Sequence, residues 1–211
     1  MSVLIVDYGL GNLWSVKNAF EFVGAEVTVS ANPAEVAAAN CLVLPGVGSF
    51  GAGMHNLRAR GLDAALKEAV LEQGAHIMGI CLGMQLLADG SEEAHGVQGL
   101  GLISGQVMKF RDNSLRLPHM GFNAVVPVEV DSHFFQYAEG SMLDFYFVHS
   151  YCFVPNNVSH VLTRTNYGGE FVSAVQKGNI IGVQFHPEKS QSNGLLLIRH
   201  FVNSSSGNRN G

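Results

Sequence analysis

The chain has 211 residues, 47% of them hydrophobic and only 14% charged, with a net charge of -5 at pH 7; about 25% charged is ordinary for a globular chain. That length points to a single domain with a sizeable core, and the scattered lysines and arginines form no basic stripe of the kind nucleic-acid binding needs. No apolar run approaches the roughly 20 residues of a membrane span, and so little charge suits a chain that covers part of its surface with a protein partner.

The first half alternates short apolar runs with helical patterns. Val3 to Val6 reads as a first strand and not a signal peptide, because Asp7 ends the run and no basic segment precedes it. A helix over Leu13 to Val23 follows, then a strand at Val27 to Val29, a helix from Pro33 to Ala38 behind a capping Asn32, and a strand at Leu42 to Leu44. Leu62, Ala65, Leu66, Ala69 and Val70 recur at helical spacing within a helix expected over Leu62 to Gln73, with Gly74 just beyond. His76 to Ile80 is the next strand and Leu82 to Ala88 the next helix. This βαβα rhythm predicts an α/β fold with a mostly parallel, helix-flanked central sheet.

Beyond about Gly96 the chain becomes rich in strands: Leu102 to Phe110, Phe122 to Val130, Phe145 to Tyr151, His160 to Thr165, Phe171 to Gln176 and Ile180 to Phe185, the last two joined by a turn at Lys177-Gly178-Asn179. A final helix over Gly194 to Val202 completes one domain, residues 1–203, and the polar tail 204–211 is expected to fray. The three cysteines, Cys41, Cys81 and Cys152, are an odd number without disulfide or metal-ligand spacing. Free thiols in a reducing, cytoplasmic setting are the reading, with no metal.

The chemistry concentrates at Gly79-Ile80-Cys81-Leu82-Gly83, where a strand ends and a helix begins. Small residues on both sides of a nucleophile allow the sharp turn that lifts it clear of a sheet, and a helix N-terminus favours the thiolate. The bland alternative is a small buried cysteine, which is the reading given to Cys41 and Cys152. Of nine histidines, His186 stands out because it closes an apolar strand and is followed by Pro187 and Glu188. Strand alternation would put His186 and Glu188 on one side, so that the carboxylate holds one ring nitrogen and leaves the other for the thiol. If the segment were only an exposed turn, Glu188 would be incidental.

Pro45-Gly46-Val47-Gly48-Ser49-Phe50-Gly51 formally contains a G-x-G-x-x-G dinucleotide motif. Its context fails, because the strand that should end in a ribose-binding acid ends at Cys81 instead. A glycine loop beside a nucleophile has another use, since its N–H groups can hold an oxyanion. His119 and His149, each in an aromatic strand edge, do not by themselves mark a site.

Taken together, Val6-Asp7-Tyr8-Gly9, Leu44 to Phe50, Gly79 to Leu87, Pro118-His119-Met120-Gly121, His149-Ser150-Tyr151 and Gly182 to Ser190 resemble the triad-type, class I glutamine amidotransferases, specifically the family of glutaminase subunits of imidazole glycerol phosphate synthase. The resemblance runs along nearly the whole chain and implies a flavodoxin-like fold. It implies that Cys81 attacks glutamine, His186 shuttles protons and Glu188 orients it, without any cofactor. It also implies an oxyanion hole from Leu82 and the Gly46, Val47, Gly48 loop, and a glutamine site around Gly48, Gln85, Glu93, Ser150 and Tyr151. By the same resemblance the partner is a (β/α)8-barrel cyclase that uses the ammonia to form imidazole glycerol phosphate and an aminoimidazole carboxamide ribotide in histidine biosynthesis. Pro118, His119, Met120 and Lys189 would lie near that interface. Two other functions remain open at this point: a paralogous subunit supplying ammonia for surface-sugar modification, and a noncatalytic regulatory module.

Overall fold

A computed structural model describes residues 1–112, 114–128 and 143–205. Its elements in chain order begin with β1 (Ser2–Val6), α1 (Leu13–Phe22), β2 (Glu26–Ser30), α2 (Pro33–Ala37), β3 (Cys41–Gly46), α3 (Phe50–Ala59) and α4 (Leu62–Lys67). The last of these continues through a π-helical stretch, Glu68–Glu72. β4 (His76–Cys81), α5 (Leu82–Leu86), β5 (Gly90–Ser91), β6 (Gly105–Lys109), β7 (His119–Ala124) and β8 (Val126–Pro127) come next. β9 (Asp144–His149), β10 (Tyr151–Pro155), β11 (Val161–Asn166), β12 (Glu170–Lys177), β13 (Ile180–Val183) and α6 (Gln191–Ser204) complete the fold.

Eight strands form the main sheet in the order β2-β1-β3-β4-β13-β12-β11-β8. β2, β1, β3, β4 and β13 run parallel, whereas β12, β11 and β8 are joined on antiparallel. The inner parallel strands β1, β3, β4 and β13 are apolar on both faces, as burial from two sides demands, whereas the edge strand β2 is largely exposed. Val3, Ile5, Cys41, Val43, Met78 and Ile80 face α1 and α6, where they meet Val16, Phe20, Ile198 and Phe201. Leu4, Val6, Leu42, Leu44 and Ile77 face the opposite layer, which holds Val36, Met54, Leu57, Leu62, Leu66 and Val70. Each fully buried Leu, Ile, Val or Phe of these layers contributes about 1.5–3 kcal/mol.

Local signals set the helix starts. Asn12 Oδ1 accepts from Ser15 N at 3.2 Å, and Asn32 Oδ1 accepts from Ala34 N at 3.0 Å with Pro33 in the first helical position. The face read from Leu62, Ala65, Leu66, Ala69 and Val70 is buried throughout. The π stretch within it is a feature that the spacing did not indicate. Helix α3 also went unread, although Phe50, Gly53, Met54 and Leu57 form its buried stripe; two glycines at its start disguise the pattern.

The strand expected from Phe145 to Tyr151 is two strands. Ser150 is a bend, after which β10 leaves for a separate three-stranded sheet, β10-β6-β5, while β9 pairs with β7. Helix α6 extends to Ser204, the first residue assigned to the tail. Residues 206–211, and the end of the strand expected to reach Val130, lie outside the described residues.

Candidate active site

The carboxyl ends of β3, β4 and β13 meet at one edge of the sheet, the position where open α/β sheets hold their ligands. Cys81 ends β4 with φ 55° and ψ -109°, a conformation that L side chains avoid and that costs about 1–3 kcal/mol. The flanking glycines make this turn possible. A Cβ on Gly79 would stand 2.8 Å from the Gly83 carbonyl and the Met84 amide, and one on Gly83 would strike the Leu44 carbonyl oxygen of β3. Helix α5 therefore starts in direct backbone contact with the sheet.

Cys81 is buried, yet its sulfur borders a cavity of about 310 Å³. The lining includes Val47, Gly48, Leu82, Gln85, Glu93, Ser150 and Tyr151. Of the eight residues expected in the triad's surroundings by the resemblance, these seven converge on Cys81, and the eighth, Gly46, pairs with Cys81 in the β3–β4 register just beneath. A larger cavity, around Met1, Glu35 and Cys41, lies at the opposite, amino-terminal edge of the strands, far from this chemistry.

His186 Nδ1 lies 2.8 Å from Glu188 Oε1, with both side chains almost fully buried. Because a carboxylate only accepts, Nδ1 carries the proton and Nε2 is left toward the thiol. The reason for this pairing differs from strand alternation. Strand β13 ends at Val183, and Pro187–Lys189 form a 3-10 turn that swings Glu188 back onto the ring. The His186 main chain is clamped as well: its N–H donates to Tyr146 O at 2.8 Å and its carbonyl accepts from Ser190 Oγ at 2.6 Å.

Burial opposes protonation of His186, but contact with the Cys81 sulfur and the Glu188 carboxylate outweighs it and pushes its pKa up to about 10. Nε2 nevertheless has no hydrogen-bond partner of acceptable geometry. The ring and sulfur are adjacent and electrostatically coupled without being bonded. The sulfur instead lies 3.8 Å from Val148 O, which can accept from the thiol, and 3.8 Å from Gln184 Nε2, which can donate to it.

The loop after β3 leaves Val47 and Gly48 exposed, with φ 124° at Gly48, and ends where Ser49 caps α3. Glu93 fastens the far side of this loop by accepting from Phe50 N at 2.7 Å. Leu82 opens α5, where the first N–H groups lack helical acceptors. Tyr8, to which the sequence reading gave no role, is buried with its hydroxyl against Gly46; burial, then the charge of Cys81, raise its pKa.

The residues expected at a partner interface divide. Met120 is 62% exposed, and Lys189 sits over the Tyr146 ring on the same side as exposed Phe122. Pro118 lines the cavity. The His119 side chain turns inward, since alternation along β7 sends it opposite to Met120, and it stacks on Phe147 and Tyr167. It bonds His149, and burial lowers the pKa of both rings, to about 4 and about 3. Among the described residues, no group of three or more His, Cys, Asp or Glu could hold a metal ion, and no helix is long and apolar enough to cross a membrane.

Fold and site together define an α/β protein built around a thiol elbow, with a carboxylate-tethered histidine at its side. Comparison with known proteins narrows this class. The glutamine amidotransferase class-I family matches residues 4–203. The imidazole glycerol phosphate synthase subunit HisH of Zymomonas mobilis is 47% identical over 207 residues, covering 95% of each chain. The subunit of the same name from Moorella thermoacetica is 45% identical over 199 residues, 94% of this chain and 93% of that one. Among solved structures, a glutamine amidotransferase superposes with a TM-score of 0.75 at 19% identity, covering 96% of this chain and 98% of that one. PurLQS from Thermotoga maritima gives 0.73 at 20%, with the same coverage; these two support the fold alone. The chain belongs to the class-I glutamine amidotransferases and, within them, to the family of imidazole glycerol phosphate synthase subunits HisH.

Proposed function

We propose that the chain hydrolyses glutamine and delivers the ammonia to the cyclase partner of an imidazole glycerol phosphate synthase, a (β/α)8 barrel, for histidine biosynthesis. The observation that carries this reading is the positive-φ Cys81 at the cavity wall beside the His186–Glu188 pair, in a chain of this family.

In this reading His186 Nε2 takes the thiol proton and Cys81 Sγ attacks the side-chain amide carbon of glutamine. The oxyanion is held by the Leu82 N–H and by an N–H of the Gly46, Val47, Gly48 loop. Collapse breaks the C–N bond, and the imidazolium gives its proton to the departing ammonia, leaving a glutamyl thioester. Water, deprotonated by His186, then releases glutamate and restores the thiol. Glu188 keeps the ring in the tautomer and orientation that both halves require. Gln85, Glu93, Ser150 and Tyr151 surround the substrate's amino-acid end, where Glu93 offers a carboxylate to the ammonium group. The outward face of Met120, Phe122 and Lys189 is the docking surface for the cyclase.

A glutamine analogue carrying a chloroketone in place of the side-chain amide tests the site directly. Mass spectrometry after incubation should find one adduct, on Cys81, that excess glutamine suppresses. Modification elsewhere, or labelling indifferent to glutamine, contradicts the assignment.

A further inference from the structure

One side chain at the sulfur has no role in the mechanism above. Gln184 follows β13 and is completely buried, with its amide between Cys81 and Gln85. A buried primary amide is costly unless its groups are bonded, and here the bonds also determine which way it faces.

The orientation is fixed from a main-chain carbonyl outward. Tyr151 O can only accept, and it receives Gln85 Nε2 at 3.0 Å and His149 Nδ1 at 2.8 Å, which fills both of its lone pairs. Gln85 must therefore direct its NH2 group here, and the same NH2 donates at 3.1 Å to Gln184 Oε1. With its oxygen held, Gln184 has only N–H groups to present to Cys81 Sγ, 3.8 Å away.

The histidine branch is equally determined. Because His149 donates through Nδ1, its Nε2 is a bare lone pair that accepts from His119 Nδ1 at 3.0 Å. His119 Nε2 is then an acceptor for Asn123 Nδ2, at 3.2 Å, whose other N–H goes to Asn166 O at 2.9 Å. Every donor in this chain meets an acceptor with both rings neutral, in agreement with burial lowering the pKa of each. Reversing any one amide or tautomer would set donor against donor or acceptor against acceptor.

We propose that Gln184 is a thiolate-stabilising residue of this site: its N–H, aimed at Cys81 Sγ by Gln85 and the Tyr151 carbonyl, offers the sulfur a donor that persists when the thiol loses its proton. The second contact cannot do this. Val148 O accepts from a thiol and repels a thiolate, so ionisation of Cys81 trades that contact for Gln184 and the protonated His186. Gln85 and Tyr151 act as positioning residues, through Gln184.

This inference rests on Cys81 being the nucleophile, and its test reads the thiol without glutamine turnover. Alkylation of Cys81 by iodoacetamide is followed by peptide mass spectrometry from pH 5 to pH 10, with buried Cys41 and Cys152 as internal references. Gln184→Met keeps the volume and removes the donor. It should raise the alkylation midpoint by about one pH unit, a roughly tenfold loss of thiolate at pH 7, and Gln184→Glu should raise it further. A folded Gln184→Met protein with the midpoint of the parent overturns the proposal. If Gln184→Met does not fold, Gln85→Met carries the same test: a smaller rise supports the proposal and no rise overturns it. Glutamine turnover by Cys81→Ala is scored separately, so a shifted midpoint with retained turnover would refute the nucleophile assignment and leave only the contact between Gln184 and the Cys81 thiolate established.

Discussion

Cys81 sits in a backbone conformation that opposes its own side chain, and His186 holds a proton that burial alone would remove. Both departures concern the same few atoms, which is where local preference is expected to yield to function. The raised pKa of His186 has a signed consequence. A base whose folded pKa lies above the ordinary value of about 6.5 adds stability that is complete below that pH and is lost as pH rises through about 10. Glu188→Gln removes the carboxylate at constant shape. The melting-temperature deficit of the variant should be largest near pH 6 and shrink toward pH 10. A deficit constant across that window would show that Glu188 contributes packing and not charge.

At the scale of elements, the elbow depends on how closely α5 approaches β3 and β4. Gly83→Ala drives a methyl into the Leu44 carbonyl oxygen, and overpacking of this kind costs about 1–3 kcal/mol. Gly51→Ala, in the first turn of α3, meets only the Ala94 methyl at 3.4 Å and should stabilise by a few tenths to about 1 kcal/mol. Chemical denaturation of the two variants checks the contrast, and equal effects would contradict the close-contact account. Glycine made α5 legible in the sequence and α3 illegible. Gly79 and Gly83 bracket a cysteine at a strand end, whereas Gly51 and Gly53 read only as loop. The break at Ser150 was hidden for a different reason: Phe145 to Tyr151 is continuously apolar and aromatic, and nothing local announces that Tyr151 changes sheets.

At the scale of the molecule, alternation of apolar runs and helical stripes made the parallel half of the sheet readable, because its inner strands β1, β3 and β4 are buried on both faces. The strand-rich half was readable only as strands. Its pairing of β7 with β9 and of β10 with β6 is set by contacts between residues 20 or more apart, as in His119 with His149 and Tyr151 with Lys109. The proposed triad could be read from Cys81, His186 and Glu188 because each stands in a local motif. Gln184 could not, since an amide inside Ile180 to Phe185 looks like one polar residue in an apolar strand, and only the fold brings Gln85 to it. His119 was assigned to a surface that its neighbour Met120 occupies in its place, one residue of phase deciding between core and face. That face, with Met120 and Phe122 outward and Val126 61% exposed, is the area a partner would cover.

The central claim is that Cys81, supported by His186 and Glu188, hydrolyses glutamine on behalf of a cyclase partner. The direct measurement is glutamate and ammonia release from glutamine by this chain mixed with a cyclase subunit of imidazole glycerol phosphate synthase, set against its Cys81→Ala variant in the same complex. Equal amounts of the two products should form with the parent chain, and the variant should be slower by about 10⁴-fold or more. Turnover by Cys81→Ala at the parent rate would contradict the account.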